Sequence, residues 1–270
     1  METQNAEAAS RLDTYILENT PQRIRDRYHS LSSYAKEHSF GELDEDVVVI
    51  DTETTGFSFN HDELIQIAAA RMVHGEIVGW YVTFVNPGKP IPEDVAHLTN
   101  ISDENVANAP DPNTAVAGLV EFVGSSHNAN FDRTFCTKYP TGEVLKQNCW
   151  IDSLDLAKIA LPRLTSHRLL DLVRAFGGPD STHRADDDVA ATCLVYRVLL
   201  AAVDTMPTPL LQHIADMCDS DTWNTERVFK CLAAMKESEG PYSLRASRKA
   251  AVAQASAPLR PDANVPDSSP

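Results

Sequence analysis

The clearest pattern in the chain is a run of four aliphatic residues, Val47-Val48-Val49-Ile50, closed by Asp51. A short apolar run rich in β-branched residues predicts a strand buried on both faces. Gly56 to Asp62 supplies a turn, and Leu64-Ile65-Gln66-Ile67-Ala68 and Ile77 to Val85 read as two further strands, split by His74-Gly75 in a hairpin. After Pro92 the pattern turns helical, with a helix near 112–123. Residues 125–129 read as a short strand followed by a helix from 130, and Trp150-Ile151 ends another strand. Helices follow near 153–160, 167–176 and 185–203. A three-strand meander followed by alternating helices and strands predicts an α/β fold, a mixed sheet covered by helices.

The flanks are simpler. Residues 8–38 read as one or two weakly amphipathic helices interrupted at Thr20-Pro21, with Thr20 as cap of the second. Leu12, Tyr15 and Ile16 fall at i, i+3, i+4 and form one apolar stripe. Residues 208–236 suggest two short helices, with Leu210, Leu211, Ile214 and Met217 on one face. The last thirty residues hold five Pro, seven Ala and five Ser, a composition that predicts a disordered tail. The expected organisation is a helical extension over 1–42, a central domain over 43–203, a short helical segment over 204–240 and a tail over 241–270.

Charge sharpens this division. The 270 residues carry a formal net charge of −16. Residues 41–200 hold 24 acidic and 11 basic groups, so most of the excess lies in the central segment. That balance argues against a broad basic face for nucleic acid or anionic membrane, and leaves open an acidic pocket that works through cations. Five cysteines without a Cys-x-x-Cys pair argue against a disulfide framework or structural zinc and for a reducing, cytoplasmic setting. The first residues show no basic region followed by an apolar run, and no apolar stretch reaches about 18 residues, so neither a secretory signal nor a membrane span is expected.

Three motifs carry the candidate chemistry. Asp51 and Glu53 end the first strand, and a spacing of two puts both carboxylates on one face, about 7 Å apart along it. Followed by Thr54, Thr55 and Gly56, they form an oxygen-rich site that suits a hard divalent cation. The second motif is Ser126-His127-Asn128-Ala129-Asn130-Phe131-Asp132, at a strand-to-helix junction. The third is His183-Arg184-Ala185-Asp186-Asp187-Asp188, opening the long final helix of the central segment. Between them stand Asn86-Pro87-Gly88, Leu98-Thr99-Asn100-Ile101 and Asp152-Ser153-Leu154-Asp155-Leu156.

In this combination and order, from about Val47 to Leu200, the chain resembles the histidine-bearing branch of the DEDD exonuclease superfamily. It is most similar to the epsilon-like proofreading exonucleases of bacterial DNA polymerase III. The resemblance implies a ribonuclease H-like mixed five-stranded sheet flanked by helices. It implies 3′→5′ removal of nucleoside monophosphates from single-stranded DNA ends, in proofreading or repair, with a DNA polymerase catalytic subunit as a candidate partner. Asp51, Glu53, Asp132 and Asp188 become ligands of two divalent cations, Mg²⁺ or Mn²⁺, and His183 the general base. Thr54 and Thr55 would meet the terminal 3′-hydroxyl and Phe57 the terminal base, with His127, Asn128 and Phe131 also on the substrate side. Arg168, after Ser166 and His167, is a candidate phosphate contact.

The chemistry supports these roles independently. Phosphodiester hydrolysis builds negative charge on the attacking and leaving oxygens, and two cations about 4 Å apart stabilise both. An imidazole with a pKa near 6.5 accepts the proton of water near neutral pH. Competing readings stand beside these roles: Phe57 as a plain loop anchor, His127 as a histidine packed beside the sheet, Trp80 and Tyr81 as core or surface-strand residues. Successive helical residues point about 100° apart, so of the three consecutive aspartates only one faces the cluster; the resemblance, whose pattern sets this ligand five residues after the histidine, implies Asp188, and Asp186 and Asp187 favour the positive end of the helix dipole. The alternative substrate is RNA, by the same chemistry. A phosphomonoesterase of the haloacid dehalogenase type opens similarly, but Glu53 replaces its second aspartate. A non-catalytic docking module would have lost ligands that this chain retains.

Overall fold

The computed structural model describes residues 11–124, 128–130, 133–178, 185–217 and 223–239. Five strands form one mixed sheet: β1 (Val47–Thr54), β2 (Leu64–Val73), β3 (Glu76–Phe84), β4 (Asn128–Asn130) and β5 (Cys149–Ile151), in the order β3-β2-β1-β4-β5. The first three are antiparallel neighbours, whereas β1·β4 and β4·β5 are parallel. Val47 to Ile50 are completely buried because the pleat divides them between two cores. Val47 and Val49 join the larger cluster, and Val48 and Ile50 the smaller one on the opposite face.

Strand β2 runs five residues beyond the expected Ala68, through Ala69, Ala70, Arg71, Met72 and Val73. Alanine and arginine are weak strand formers, but β2 is paired on both sides along its length, and pairing decides over propensity. The turn into β3 is made by His74 and Gly75, both at positive φ (49° and 78°), the pattern of a primed hairpin turn. A Cβ on Gly75 would also stand 2.5 Å from the Arg197 side chain.

Helices cover both faces. In chain order they are α1 (Gln22–Glu37), α2 (Glu42–Glu45), α3 (Glu93–Thr99), α4 (Asp103–Val106), α5 (Pro112–Val123), α6 (Arg133–Cys136), α7 (Ser153–Ala160), α8 (Leu169–Phe176), α9 (Ala185–Asp204), α10 (Thr208–Asp216) and α11 (Glu226–Glu239), with a 3₁₀ segment at Pro140–Gln147. Helix α5 and the 3₁₀ segment cover one face, and α9 crosses the other against β1 and β2. Helices α1, α7, α8 and α11 wrap α9, which explains why it is apolar nearly all round. Among the described residues no single helix is long and apolar enough to cross a membrane; α9 and α10 pass that test only as a pair bent by 109°.

The N-terminal segment packs into the same core. Leu12 and Ile16 are buried and Tyr15 packs beside them, as their spacing predicts. Ile16 also bridges to Leu164, strapping the loop before α8. Three local expectations fail. Thr20 is buried and makes no side-chain cap; its carbonyl accepts from Arg25 Nε instead (3.3 Å). Leu210 and Met217 are exposed, because α10 packs through Leu211, Ile214 and Ala215. Asn130, expected to open a helix, is still in strand β4 with Asn128 and Ala129, while 125–127 of the expected strand lie outside the described residues. The expected tail over 241–270 lies outside the described residues.

A buried ion pair ties the extension to α9. Asp44 is fully buried and pairs with Arg197, whose guanidinium also donates to the carbonyls of Ala35 and His38 and lies 5.2 Å from the Phe40 ring centroid. Phe40 N donates to the other Asp44 oxygen (3.0 Å). Removing one partner leaves the other charge buried, so Asp44→Ala is expected to cost about 3–5 kcal/mol in urea or guanidinium unfolding. A loss below about 1 kcal/mol would place this pair with exposed ones.

Candidate active site

The site forms where β1 emerges from the core. Its first half is buried, and from Asp51 to Thr54 it becomes half-exposed. Asp51 and Glu53 therefore leave the same face of a strand whose base cannot move. Asp188 sits in the first turn of α9, which the core holds against β1 and β2. Ligand oxygens of Asp51, Glu53 and Asp188 all lie within 4.8 Å of one another, and all three residues are half-buried. Asp186 and Asp187 are not part of this group.

Among the described residues the group consists of three carboxylates, a hard-oxygen donor set that fits Mg²⁺ or Mn²⁺ better than zinc. Two carboxylates this close repel by about 1 to 4 kcal/mol, between the limits for bulk water and a near-surface site. A divalent cation converts that repulsion into attraction.

The loop after β1 is closed by internal bonds. Thr54 Oγ1 donates to Gly56 O (2.6 Å), and Thr55 N donates to Glu63 O (2.8 Å). Thr55 is buried; its hydroxyl donates to Asp62 Oδ1 (2.9 Å) and accepts from Glu63 N (3.1 Å). The part of Thr55 is therefore to hold the loop, since the groups expected to reach a 3′-hydroxyl are engaged inside it. Phe57 is 100% exposed and anchors nothing, which removes the plain loop-anchor reading.

Lys138 and Tyr139 clamp the loop's far end. Lys138 Nζ donates to Asp62 O (2.7 Å) and Glu63 Oε1 (2.8 Å), and Tyr139 OH donates to Glu63 Oε2 (2.5 Å). Burial pushes the Glu63 carboxyl up, but these two bonds outweigh it and hold the group below its ordinary value. This contribution to stability is present above the unfolded-state pKa of Glu63 and is lost as pH falls through the depressed folded value.

Asn128 opens β4, its backbone paired with Val47 and Cys149. His127, Phe131, Asp132 and His183 lie outside the described residues. Arg168 precedes α8 as an exposed residue, while Ser166 is bonded to Asp171 (2.5 Å) and His167 to Leu161 O (3.0 Å). Trp80 is 46% exposed on β3, and Tyr81 packs on Phe122 with its hydroxyl on Ala115 O. Asp62, Glu63, Lys138 and Tyr139 were not legible as site residues. An aspartate seven residues after Thr55 signals at most a turn, and nothing local marks the other three.

Comparison with known proteins places this geometry. The RNase T exonuclease family model matches residues 48–196, more than half of the chain, and the chain belongs to that family. Among its relatives are DNA polymerase III PolC-type of Clostridium perfringens, 37% identical over 57% of this chain and 11% of that protein, and the PolC-type enzyme of Bacillus subtilis, 34% identical over 58% and 12%. The chain thus spans about a tenth of the length of these relatives. The E. coli Exonuclease I complex with a dA16 oligonucleotide shares the fold, with a TM-score of 0.51 and 20% identity over 63% of this chain and 43% of that one.

Relief of repulsion gives a test that needs no substrate. Wild type and Asp51→Asn are compared by thermal melting, first with chelator and then with cation. In millimolar Mn²⁺ the wild type is expected to gain stability and the variant to gain little. Equal gains in both proteins would show that the cluster holds no cation.

Proposed function

We propose that the chain is a metal-dependent 3′→5′ exonuclease that removes nucleoside monophosphates from single-stranded DNA ends. The observation that carries this reading is the convergence of Asp51, Glu53 and Asp188 beside an exposed aromatic, in a chain of the exonuclease family. Asp51, Glu53 and Asp188 would hold one of two divalent cations, Mg²⁺ or Mn²⁺, and Asp132 would complete the second position. Bound there, the cations supply Lewis-acid stabilisation of the phosphate and an acidified water. His183, five residues before Asp188, takes the proton of the attacking water. Phe57 offers its open face to the terminal base, a contact that tolerates any base.

DNA is favoured over RNA because the relatives named above are DNA polymerases and the structural neighbour holds a deoxyoligonucleotide. The same relatives support a place beside a polymerase catalytic subunit in the cytoplasm, in proofreading or repair.

The test is release of mononucleotides from a 5′-labelled oligonucleotide with Mg²⁺ or Mn²⁺, run on DNA and RNA in parallel. A ladder shortening from the 3′ end is expected, faster on DNA. His183→Ala is expected to lower kcat by about 10²–10⁴-fold, and Asp188→Asn to abolish turnover. Full activity in Asp188→Asn would overturn the site.

A further inference from the structure

The loop that carries Phe57 is fastened far more tightly than a surface turn needs. Asp62 is its hub. One carboxylate oxygen accepts from Thr55 Oγ1 (2.9 Å) and Lys89 Nζ (3.2 Å), the other from Ser58 N (2.9 Å). Lys89 also donates to His61 O, and Asp62 N donates to Ser58 O (2.7 Å), closing the turn from below. The Ser58 and Thr55 bonds, with Lys89, hold the Asp62 carboxyl below the usual range. Gly56 leaves room for the hub, since a Cβ there would stand 2.6 Å from Asp62 Oδ2. Two of these bonds fix Ser58, the residue after Phe57, and one fixes Thr55, two residues before it, while the Phe57 side chain between them is fully exposed.

An exposed phenyl on a mobile loop would lose conformational freedom when a base stacks on it, and that cost subtracts from binding. A phenyl on a fixed backbone avoids most of it. We propose that Asp62 is a positioning residue for the substrate strand: through Thr55, Ser58 and Lys89 it holds Phe57 as a preformed platform for the terminal base. This rests on the exonuclease reading above. It adds that affinity for the strand depends on a carboxylate that touches neither substrate nor cation, with Lys89 balancing its charge.

The test is a double-mutant cycle with Phe57→Ala and Asp62→Ala, assayed on a single-stranded oligonucleotide across a range of concentrations. Loss of one stacked base corresponds to a KM rise of about tenfold. Asp62→Ala alone is expected to show that rise, with the loss falling on KM rather than on kcat. Asp62→Asn, which keeps one acceptor oxygen, is expected to fall between wild type and Asp62→Ala. In the Phe57→Ala background, Asp62→Ala is expected to add no further loss. Additive losses, or a fall in kcat that matches the rise in KM, would overturn the platform and leave Asp62 a general stabiliser of the fold. Should Asp62→Ala fail to fold, the same cycle run with Asp62→Asn decides between coupling and additivity. A wild-type protein without activity on any 3′ end would instead overturn the exonuclease reading itself.

Discussion

Mutual repulsion among Asp51, Glu53 and Asp188 is the constraint around which the structure is organised. Like charges with oxygens within 4.8 Å separate unless something rigid prevents it. The rigidity comes from two elements whose positions are settled elsewhere. Strand β1 is immobile because Val47 to Ile50 are packed on both faces. Helix α9 is immobile because almost every residue from Ala191 to Asp204 is buried. The carboxylates ride on the ends of these elements, where burial gives way to solvent. A ligand set on loops would relax, and the cation would then have to reassemble it at each binding event.

The charge of the molecule follows from the same arrangement. A net charge of −16 argues against a broad basic face. The loop beside the carboxylates presents aromatic groups instead. It exposes Phe57 fully and Phe59 by 43%, the latter set edge-on to Phe135 with Lys138 near its ring. Lys89 and Lys138 stand in the most acidic part of the sequence, yet both are committed to the loop's own carboxylates and carbonyls. They organise the aromatic surface rather than form a phosphate track. The exposed side chains of this loop are thus aromatic, and its two lysines are turned inward to it.

What the sequence made legible was local. The aliphatic run before Asp51 announced a strand, a two-residue spacing put Asp51 and Glu53 on one face, and the five-residue spacing from His183 in the family pattern singled out Asp188 from Asp186 and Asp187. Helix α7 begins and ends where its pattern predicts, with Asp152 capping it through Leu154 N and Asp155 N. Long-range features left no such trace. The partners that fasten the loop come from 27 to 76 residues away in sequence. Thr55 looked like a substrate contact because it follows Asp51 and Glu53, but its side chain is turned inward and bonded to Asp62. Leu210 and Met217 looked like a helix face until α11 chose the adjacent one. In each case a tertiary contact outweighed a correct local pattern.

The two cores divide the work of the fold. The larger one, behind the sheet, takes in the N-terminal segment, α9 and the C-terminal pair α10 and α11, and holds the buried Asp44–Arg197 pair. The smaller one packs α5 and the 3₁₀ segment on the opposite face. Residues before Val48 lie outside the family match, yet Tyr28, Leu31, Phe40 and Leu43 are among its most buried side chains. They cover the outer side of α9, the helix that must hold Asp188 against β1. An exposed, apolar α9 would be free to shift along the sheet, and a shift of even one residue would rotate Asp188 by about 100° away from Asp51 and Glu53. The N-terminal helix thus bears on the geometry of the acidic cluster without approaching it, by fixing the helix that carries one of its three carboxylates.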